Sequence, residues 1–594
     1  MVRASDRGAR RRMLKGLVQE LLRRAGESTP AHSETTPDRL HLCIIEAAQH
    51  AAAGDHAAAV GFYRESLQLQ PRDARIWCNF GAALEAAGEA EEAERAYRRA
   101  LELDAALAQT WYNLGHLQQE RGRAGEAEAS YRSALTLLDG ARDHELWQLA
   151  YSNWGLLLQN QGRLKDAVSL YREALAAVPA DASLRSNLLF LLTAMQDVGP
   201  AELLEEHRGW GRLHARAHAA HASVPDPERR IRVGYVSADF NSHPLAFFVL
   251  PLLANRDRAR IEAVCYYNGV KQDTITARLR ASADQWRDIR WLSDADADAL
   301  IRADGIDILV DLSGHTEGNR LTLFGRKPAP VQATFLGYAN TTGLDTMDYR
   351  ITDGYADPAG TDARYVEKLL RMPNSVWCYQ PQRVTPPANP APALENGYVT
   401  FACFNGAYKL NQPLMKVWAA ILHAVPDSRL MLVNVPTGGA RERIIAWLGA
   451  EGIGSGRLEL HARLPTDEFW AAHRRADIAL DPFPCNGGAT TCETLWLGVP
   501  VITLAGQTFV ARAGVSLLSN CGLTQLIAGS TEEYVALAAE LAREPLRLAD
   551  MRVRLKGSLP GSPLLDAPAY TRALEAHYRA IWRQWCSQQG RVHA

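Results

Sequence analysis

The densest collection of residues able to do chemistry is the segment from Leu480 to Pro500. It reads as a strand, a proline turn, the pair Gly487 and Gly488, then Ala489, Thr490 and Thr491, and a helix opening toward Glu493 and Trp496. Backbone N–H groups at a helix N-terminus carry partial positive charge, and glycines let an anion approach them closely. Thr490 and Thr491 add hydroxyl donors, and Glu493, one turn in, can accept two hydrogen bonds from a vicinal diol such as that of ribose. The chemistry implied is a phosphate cradle with a hook for a sugar. A capped helix after a tight turn accounts for the same residues with no ligand at all. Gly452, Gly454 and Gly456 follow a helix and precede a strand, the wrong order for a dinucleotide loop, and no GxxxxGK[ST] run occurs, so NAD and ATP phosphate loops are unsupported. Asp294, Asp296 and Asp298 read as a solvated turn and N-cap before the helix containing Leu300 rather than as metal ligands.

Such a cradle needs strands to hold it. Apolar, β-branched runs at Ile231 to Phe240, Ile261 to Asn268, Ile306 to Gly314 and Val331 to Tyr338 alternate with helical segments, the βαβ rhythm of a mostly parallel sheet. The rhythm stops at the proline-bearing stretch 380–397, a linker, and restarts with Tyr398 to Asn405, Arg429 to Pro436, Arg457 to Leu464, Asp477 to Pro484 and Pro500 to Thr508. Two doubly wound halves follow from this, and ligands of such sheets bind beyond the carboxyl ends of the strands.

Upstream, the chain repeats itself at a lag of 34 residues: Trp77 with Trp111, Gly81 with Gly115, Ala59 with Ala93 and Ala127, and Tyr63 with Tyr97 and Tyr131. After a six-residue insertion the pattern resumes with Gly155, Gly162, Ala167, Tyr171 and Ala174. This resembles the tetratricopeptide repeat, about four copies from Arg39 to Pro179, followed by Leu184 to His218 as a degenerate repeat or a connecting helix. The expected boundaries are a basic helical segment at 1–38, repeats at 39–180, linking helices at 181–228, a first Rossmann-like half at 229–379, the linker at 380–397, and a second half with a C-terminal helix at 398–594. Stacked helix pairs make a groove suited to protein or peptide partners, and a spacer or a homodimer arm is the alternative.

Composition narrows the classes. The 594 residues are 47% hydrophobic and 22% charged, with 65 Lys and Arg against 67 Asp and Glu, so no basic excess is available to neutralise a nucleic acid. Nine cysteines without a CxxC pair indicate neither a disulfide framework nor a zinc cluster and fit a reducing cytoplasm. No apolar run approaches the roughly 20 residues of a membrane span.

From the repeats to the final helix, the chain resembles the O-linked N-acetylglucosamine transferase family. The resemblance rests on IRVGYVSADFNSHP (Ile231 to Pro244), KPAPVQATFLGYANTTGLDTMDYRITD (Lys327 to Asp353), FNGAYKL (Phe404 to Leu410), CNGGATTCETLW (Cys485 to Trp496) and GVPVIT (Gly498 to Thr503). It implies a repeat solenoid followed by a GT-B core of two Rossmann-like halves, and a metal-independent, inverting protein O-glycosyltransferase. That enzyme would move N-acetylglucosamine from UDP-GlcNAc to Ser or Thr of polypeptides, with no cofactor. Lys409 is similar to the family lysine on the leaving diphosphate, and His243 matches a histidine put forward as base or acceptor-orienting group. A pKa near 6.5 suits that task, although the donor phosphate could take the proton instead. His315, at another strand end, stands where an acceptor contact is plausible.

The nucleoside side departs from the family. Animal members carry a Gln where this chain has Gly406, a His where it has Gly488, and a basic residue near Ala472. Glu493 replaces an Asp and still reaches a ribose, Phe469 replaces a His and can stack on a base, and backbone groups of Leu464, Pro465 and Thr466 would read the base edge. The alternatives are the same fold with a fucose or hexose donor or an Asn acceptor, and a repeat scaffold with an inactive core.

Overall fold

The computed structural model describes residues 36–140, 142–217, 221, 223–381 and 390–592. Most of the expected basic segment and residues 382–389 of the proline-rich linker lie outside these residues. The chain divides into two compact units, one of 1–158 with 169–179 and one of 159–168 with 180–594.

The first unit is built from antiparallel helix pairs: Thr36–Ala53 with His56–Leu69, Ala74–Ala87 with Ala90–Leu103, and Ala108–Glu120 with Ala124–Thr136. The lag of the sequence has a steric cause. A Cβ on Gly81 would lie 2.6 Å from the Tyr97 ring, one on Gly115 3.0 Å from Tyr131, and one on Gly155 2.2 Å from Tyr171, so each glycine admits the tyrosine of the following helix. Those three tyrosines are almost fully buried.

The second unit holds a further helix pair, Ala182–Ala194 and Pro200–His214, over the stretch read as a degenerate repeat or linking helices. Leu189 and Trp210 of this pair pack on Val236, Val264 and Leu309 of the first sheet. That sheet holds seven parallel strands: β1 (Ile231–Ser237), β2 (Ile261–Tyr267), β3 (Gln285–Asp288), β4 (Ile308–Asp311), β5 (Val331–Thr334), β6 (Tyr349–Asp353) and β7 (Lys368–Met372). Their order is β3-β2-β1-β4-β5-β6-β7. The second sheet holds six: β8 (Thr400–Cys403), β9 (Arg429–Leu432), β10 (Leu458–Leu460), β11 (Ile478–Leu480), β12 (Val501–Leu504) and β13 (Ile527–Ala528), in the order β10-β9-β8-β11-β12-β13. Both are doubly wound, with their switch point between the first and fourth strands of each sheet.

The final helix, Ala567–Val592, follows the second half in sequence but packs back onto the first. Trp582 Nε1 donates to Asp226 O at 2.9 Å, and the Arg229 guanidinium lies 4.7 Å from the Trp582 ring. Across the two halves, Ser516 donates to Asp353 Oδ2 at 2.5 Å and Arg512 Nε donates to Tyr355 O at 2.9 Å.

Candidate active site

In each half the candidate residues stand beyond the carboxyl ends of strands, where the sheet stops offering backbone partners and loops must supply their own. After β8 the chain turns through Asn405 and Gly406 into a single turn, Ala407–Lys409. After β11 it runs from Asp481 through Pro482 to Gly488 and enters helix Ala489–Trp496. These two loops meet. Lys409 Nζ donates to Asn486 O at 2.6 Å and to Asn405 Oδ1 at 3.2 Å, and the Thr490 hydroxyl donates to the same Asn405 oxygen at 2.9 Å. Lys409 is thereby held at the N-terminus of the helix. Burial opposes its charge, but Cys485, Tyr408, Asp481 and Cys403 together hold its pKa above the usual lysine value.

The cradle rests on Asp481, a buried carboxylate. Its Oδ1 accepts the Gly487 N–H at 2.7 Å, its Oδ2 accepts the Thr503 hydroxyl at 2.8 Å, and Thr491 bonds to it as well. Burial raises its pKa to about 6, against the pull of those donors and of Lys409. Gly487 is required by space, since a Cβ there would lie 2.3 Å from Thr491 Oγ1. Gly488 caps the helix with no side-chain bond and has nothing within 4 Å of where its Cβ would be. The N–H groups of the first turn, Ala489 included, therefore open onto free space beside a cation and a hydroxyl, which is what a phosphate needs.

Glu493 lies one turn further along, half-buried, and takes the Trp470 indole N–H on Oε1 at 2.5 Å. Burial raises its pKa and the indole opposes the rise. Trp470 belongs to helix Thr466–Arg475, whose Phe469 is half-buried and edge-on to Phe404 at 5.7 Å. The face of Phe404 is covered by His473, stacked at 3.5 Å. Leu464 is half-buried, Pro465 and Thr466 are exposed at the helix start, Gly406 is half-buried, and Ala472 is buried.

The first half supplies a different set. His243 sits in the loop after β1, half-buried, with Nδ1 accepting the Leu245 N–H at 3.3 Å and lying 3.6 Å from Asp239 Oδ2. Burial, with the charge of Lys271 adding, lowers its pKa to about 4, while burial raises Asp239 to about 6. His315 is not brought to this group. It is 1% exposed, its Nδ1 pairs with Ser186 Oγ and its Nε2 with Thr342 O, each at 2.9 Å, and its ring edge meets Trp210. With both nitrogens engaged it braces helix Ala182–Ala194 against the strand-end loops. The expected acceptor contact is corrected on that ground.

Four contributors escaped the sequence reading: Asp481, Asn486, Trp470 and Asn405 in its bridging role. A signal for the first was present. Asp307-Ile-Leu-Val-Asp311 and Asp477-Ile-Ala-Leu-Asp481 place carboxylates at both ends of the central strand of each half. The leading Asp of each accepts a backbone N–H of the first strand, Arg232 N on Asp307 at 2.8 Å and Thr400 N on Asp477 at 2.9 Å.

Comparison with known proteins agrees with this geometry. Residues 210–388 and 380–574 match glycosyl transferase family 41, more than half of the chain, and residues 74–107 and 108–137 match the tetratricopeptide repeat. A Petunia hybrida protein named Probable UDP-N-acetylglucosamine–peptide N-acetylglucosaminyltransferase SPINDLY is 40% identical over 418 residues, covering 69% of this chain and 45% of that protein. The Arabidopsis thaliana protein carrying the same description with the name SEC is 32% identical over 378 residues, 61% of this chain and 38% of its own length. The chain thus spans less than half the length of these curated relatives. A solved lysine-to-methionine mutant of the Thermobaculum terrenum O-GlcNAc transferase superposes with a TM-score of 0.74 at 31% identity, over 94% of this chain and all of that one. The two doubly wound sheets, the helix-terminus cradle and these matches agree: the chain belongs to glycosyl transferase family 41.

Proposed function

We propose that this protein transfers N-acetylglucosamine from UDP-GlcNAc to Ser or Thr hydroxyls of polypeptides, with inversion and without a metal. One observation carries the reading: Lys409, Thr490 and the uncapped helix turn after Gly488 are joined through Asn405 into one anion site, with Glu493 a turn away. Departure of a nucleoside diphosphate leaves negative charge on its phosphates, and a fixed cation with helix N–H groups stabilises that charge as it forms. The acceptor oxygen attacks the anomeric carbon as the bond to the phosphate oxygen breaks, which inverts the centre. Since the Leu245 N–H occupies His243 Nδ1, the proton of the neutral ring falls on Nε2. His243 in this form orients an oxygen by donating to it, and the departing phosphate takes the acceptor proton. Lys409 and the helix turn supply the positive charge that a metal would otherwise bring. The repeats present the polypeptide, consistent with the names of the relatives as peptide transferases.

A second reading keeps this chemistry and changes the donor. Gly406 and Gly488 offer no side chain toward the nucleotide, and a Cβ on Gly488 would meet nothing within 4 Å, so the base and sugar are less confined than the phosphates. Incubation of the full chain with a panel of nucleotide sugars and Ser/Thr peptides, read by peptide mass and by free nucleotide, decides between them. Transfer of N-acetylglucosamine supports the first reading, transfer of fucose or hexose the second, and no transfer with any donor overturns both.

A further inference from the structure

Glu493 is a carboxylate in an awkward place. It is half-buried on helix Ala489–Trp496, and no Lys, Arg or His pairs with it among the described residues. A desolvated carboxylate needs hydrogen-bond donors, and among the described residues only the Trp470 indole, 2.5 Å from Oε1, supplies one from a side chain. Trp470 is itself well anchored. Its helix is pinned by His473, whose Nδ1 donates to Phe469 O at 2.8 Å, whose ring stacks on Phe404, and whose Nε2 lies 3.2 Å from Thr494 Oγ1. Trp470 to Glu493 and His473 to Thr494 are therefore adjacent rungs between the same two helices.

Resting on the donor reading above, we propose that Trp470 is a positioning residue that makes the site selective for nucleotides with an intact ribose diol. The indole occupies Oε1 and fixes the carboxylate rotamer, which leaves Oε2 presented to hydroxyl donors at a set distance from the phosphate cradle. Without the indole the carboxylate is free to rotate, and each hydroxyl contact must first be ordered at an entropic cost. Phosphate contacts lie on Lys409 and the helix turn and do not pass through Trp470.

The test uses the full chain and calorimetry with UDP and GDP, each in ribose and 2′,3′-dideoxy form, on the unaltered protein, Trp470→Phe, Glu493→Ala and the double variant. In the unaltered protein one ribonucleotide binds more tightly than its dideoxy form. Trp470→Phe should reduce that preference about tenfold, the lower end of what hydrogen bonds to a charged group contribute, while dideoxy affinity stays within about twofold. In the Glu493→Ala background Trp470→Phe should change nothing further. Equal losses for ribose and dideoxy forms would mean that the indole only supports the helix, and this overturns the proposal, as does an unchanged ribose preference. If the unaltered protein binds none of the four nucleotides, the donor reading falls and this inference with it. If it binds ribose and dideoxy forms equally, the inference alone falls.

Discussion

The two halves share a scaffold and differ in what lies above it. Each has an Asp at both ends of its central strand, and the trailing one does the same work in both. Asp311 accepts the Ser313 and Gly314 N–H groups and the Thr334 hydroxyl, as Asp481 accepts those of Gly487 and Thr503. Burial raises both to about 6. Above Asp311, however, the space is filled. A Cβ on Gly314 would lie 2.2 Å from the Tyr338 Cβ, and His315 and Tyr338 are buried beside it. Above Asp481 the chain enters a helix at once and leaves Gly488 facing open space. The same carboxylate-held turn is a plug in one half and a cradle in the other. Under the proposed function, the donor would bind in the second half, and the first would be left to carry the acceptor side.

The strongest way to break this contrast is Lys409→Ala. The cradle would lose the cation linked to Asn405 and Asn486, and loss of one preorganised charge stabiliser costs about 10² to 10³ in rate. Steady-state turnover with the preferred donor measures it, and a rate within about twofold of the unaltered protein would remove Lys409 from the site. Next come the two glycines. Gly314→Ala puts a side chain at φ 54° against Tyr338 and should cost about 2 to 4 kcal/mol, seen as a lowered denaturant midpoint. Gly488→Leu should leave that midpoint nearly unchanged and weaken nucleotide diphosphate binding about tenfold or more by filling the phosphate space. Reversal of these two outcomes would exchange plug and cradle.

A smaller effect separates the carboxylates. Replacing either Asp311 or Asp481 by Ala leaves buried N–H and hydroxyl groups without partners, about 1 to 3 kcal/mol of stability in each case. Only Asp481→Ala should also weaken nucleotide binding in calorimetry, because of the two turns only its own leads to open space, at Gly488. Equal binding by both variants would show that the cradle holds its shape without its carboxylate.

Much of this scaffold is legible in the sequence, because strands buried on both faces must be continuous apolar runs; β1, β2, β4, β5, β8, β9, β10, β11 and β12 all lie within the runs singled out. The strands that escaped are those without such runs. β3 is Gln-Trp-Arg-Asp at a sheet edge, β7 is Lys-Leu-Leu-Arg-Met at the other edge, and β13 has two residues. β6 carries Arg350, which looks like a surface residue in sequence. In the fold its guanidinium donates to Tyr338 O and Asn340 O and stacks between the rings of Tyr365 and Phe509. The Leu480 to Pro500 cradle was visible because glycine, threonine and helix signals are local. The roles of Asp481, Trp470 and His315 depend on partners from other strands and helices, and a histidine after a strand looks the same whether it faces a ligand or a core.

The smallest effect is in the pH profile, where rate and stability move in opposite directions. His243, held near 4, is neutral at pH 5 and above, so it cannot produce a rise in rate through pH 6.5. Three carboxyls titrate near 6 instead, Asp239 beside His243, Asp311 beneath the filled turn of the first half and Asp481 beneath the cradle. All three have folded pKa values raised above the unfolded value near 3.9, so the stability each contributes is present at low pH and is lost as pH rises through 6. Ionised Asp481 is nevertheless the form that accepts the Gly487 N–H and faces Lys409. Rate should therefore rise through pH 6 while stability declines slightly over the same interval. Asp481→Asn should abolish the limb in rate and remove its own share of the stability change, whereas Asp239→Asn should remove a similar share of the stability change and leave the limb in place. Rate profiles from pH 5 to 8, with thermal midpoints in the same buffers, measure both. A limb that persists in Asp481→Asn and disappears in Asp239→Asn would place the controlling proton in the first half.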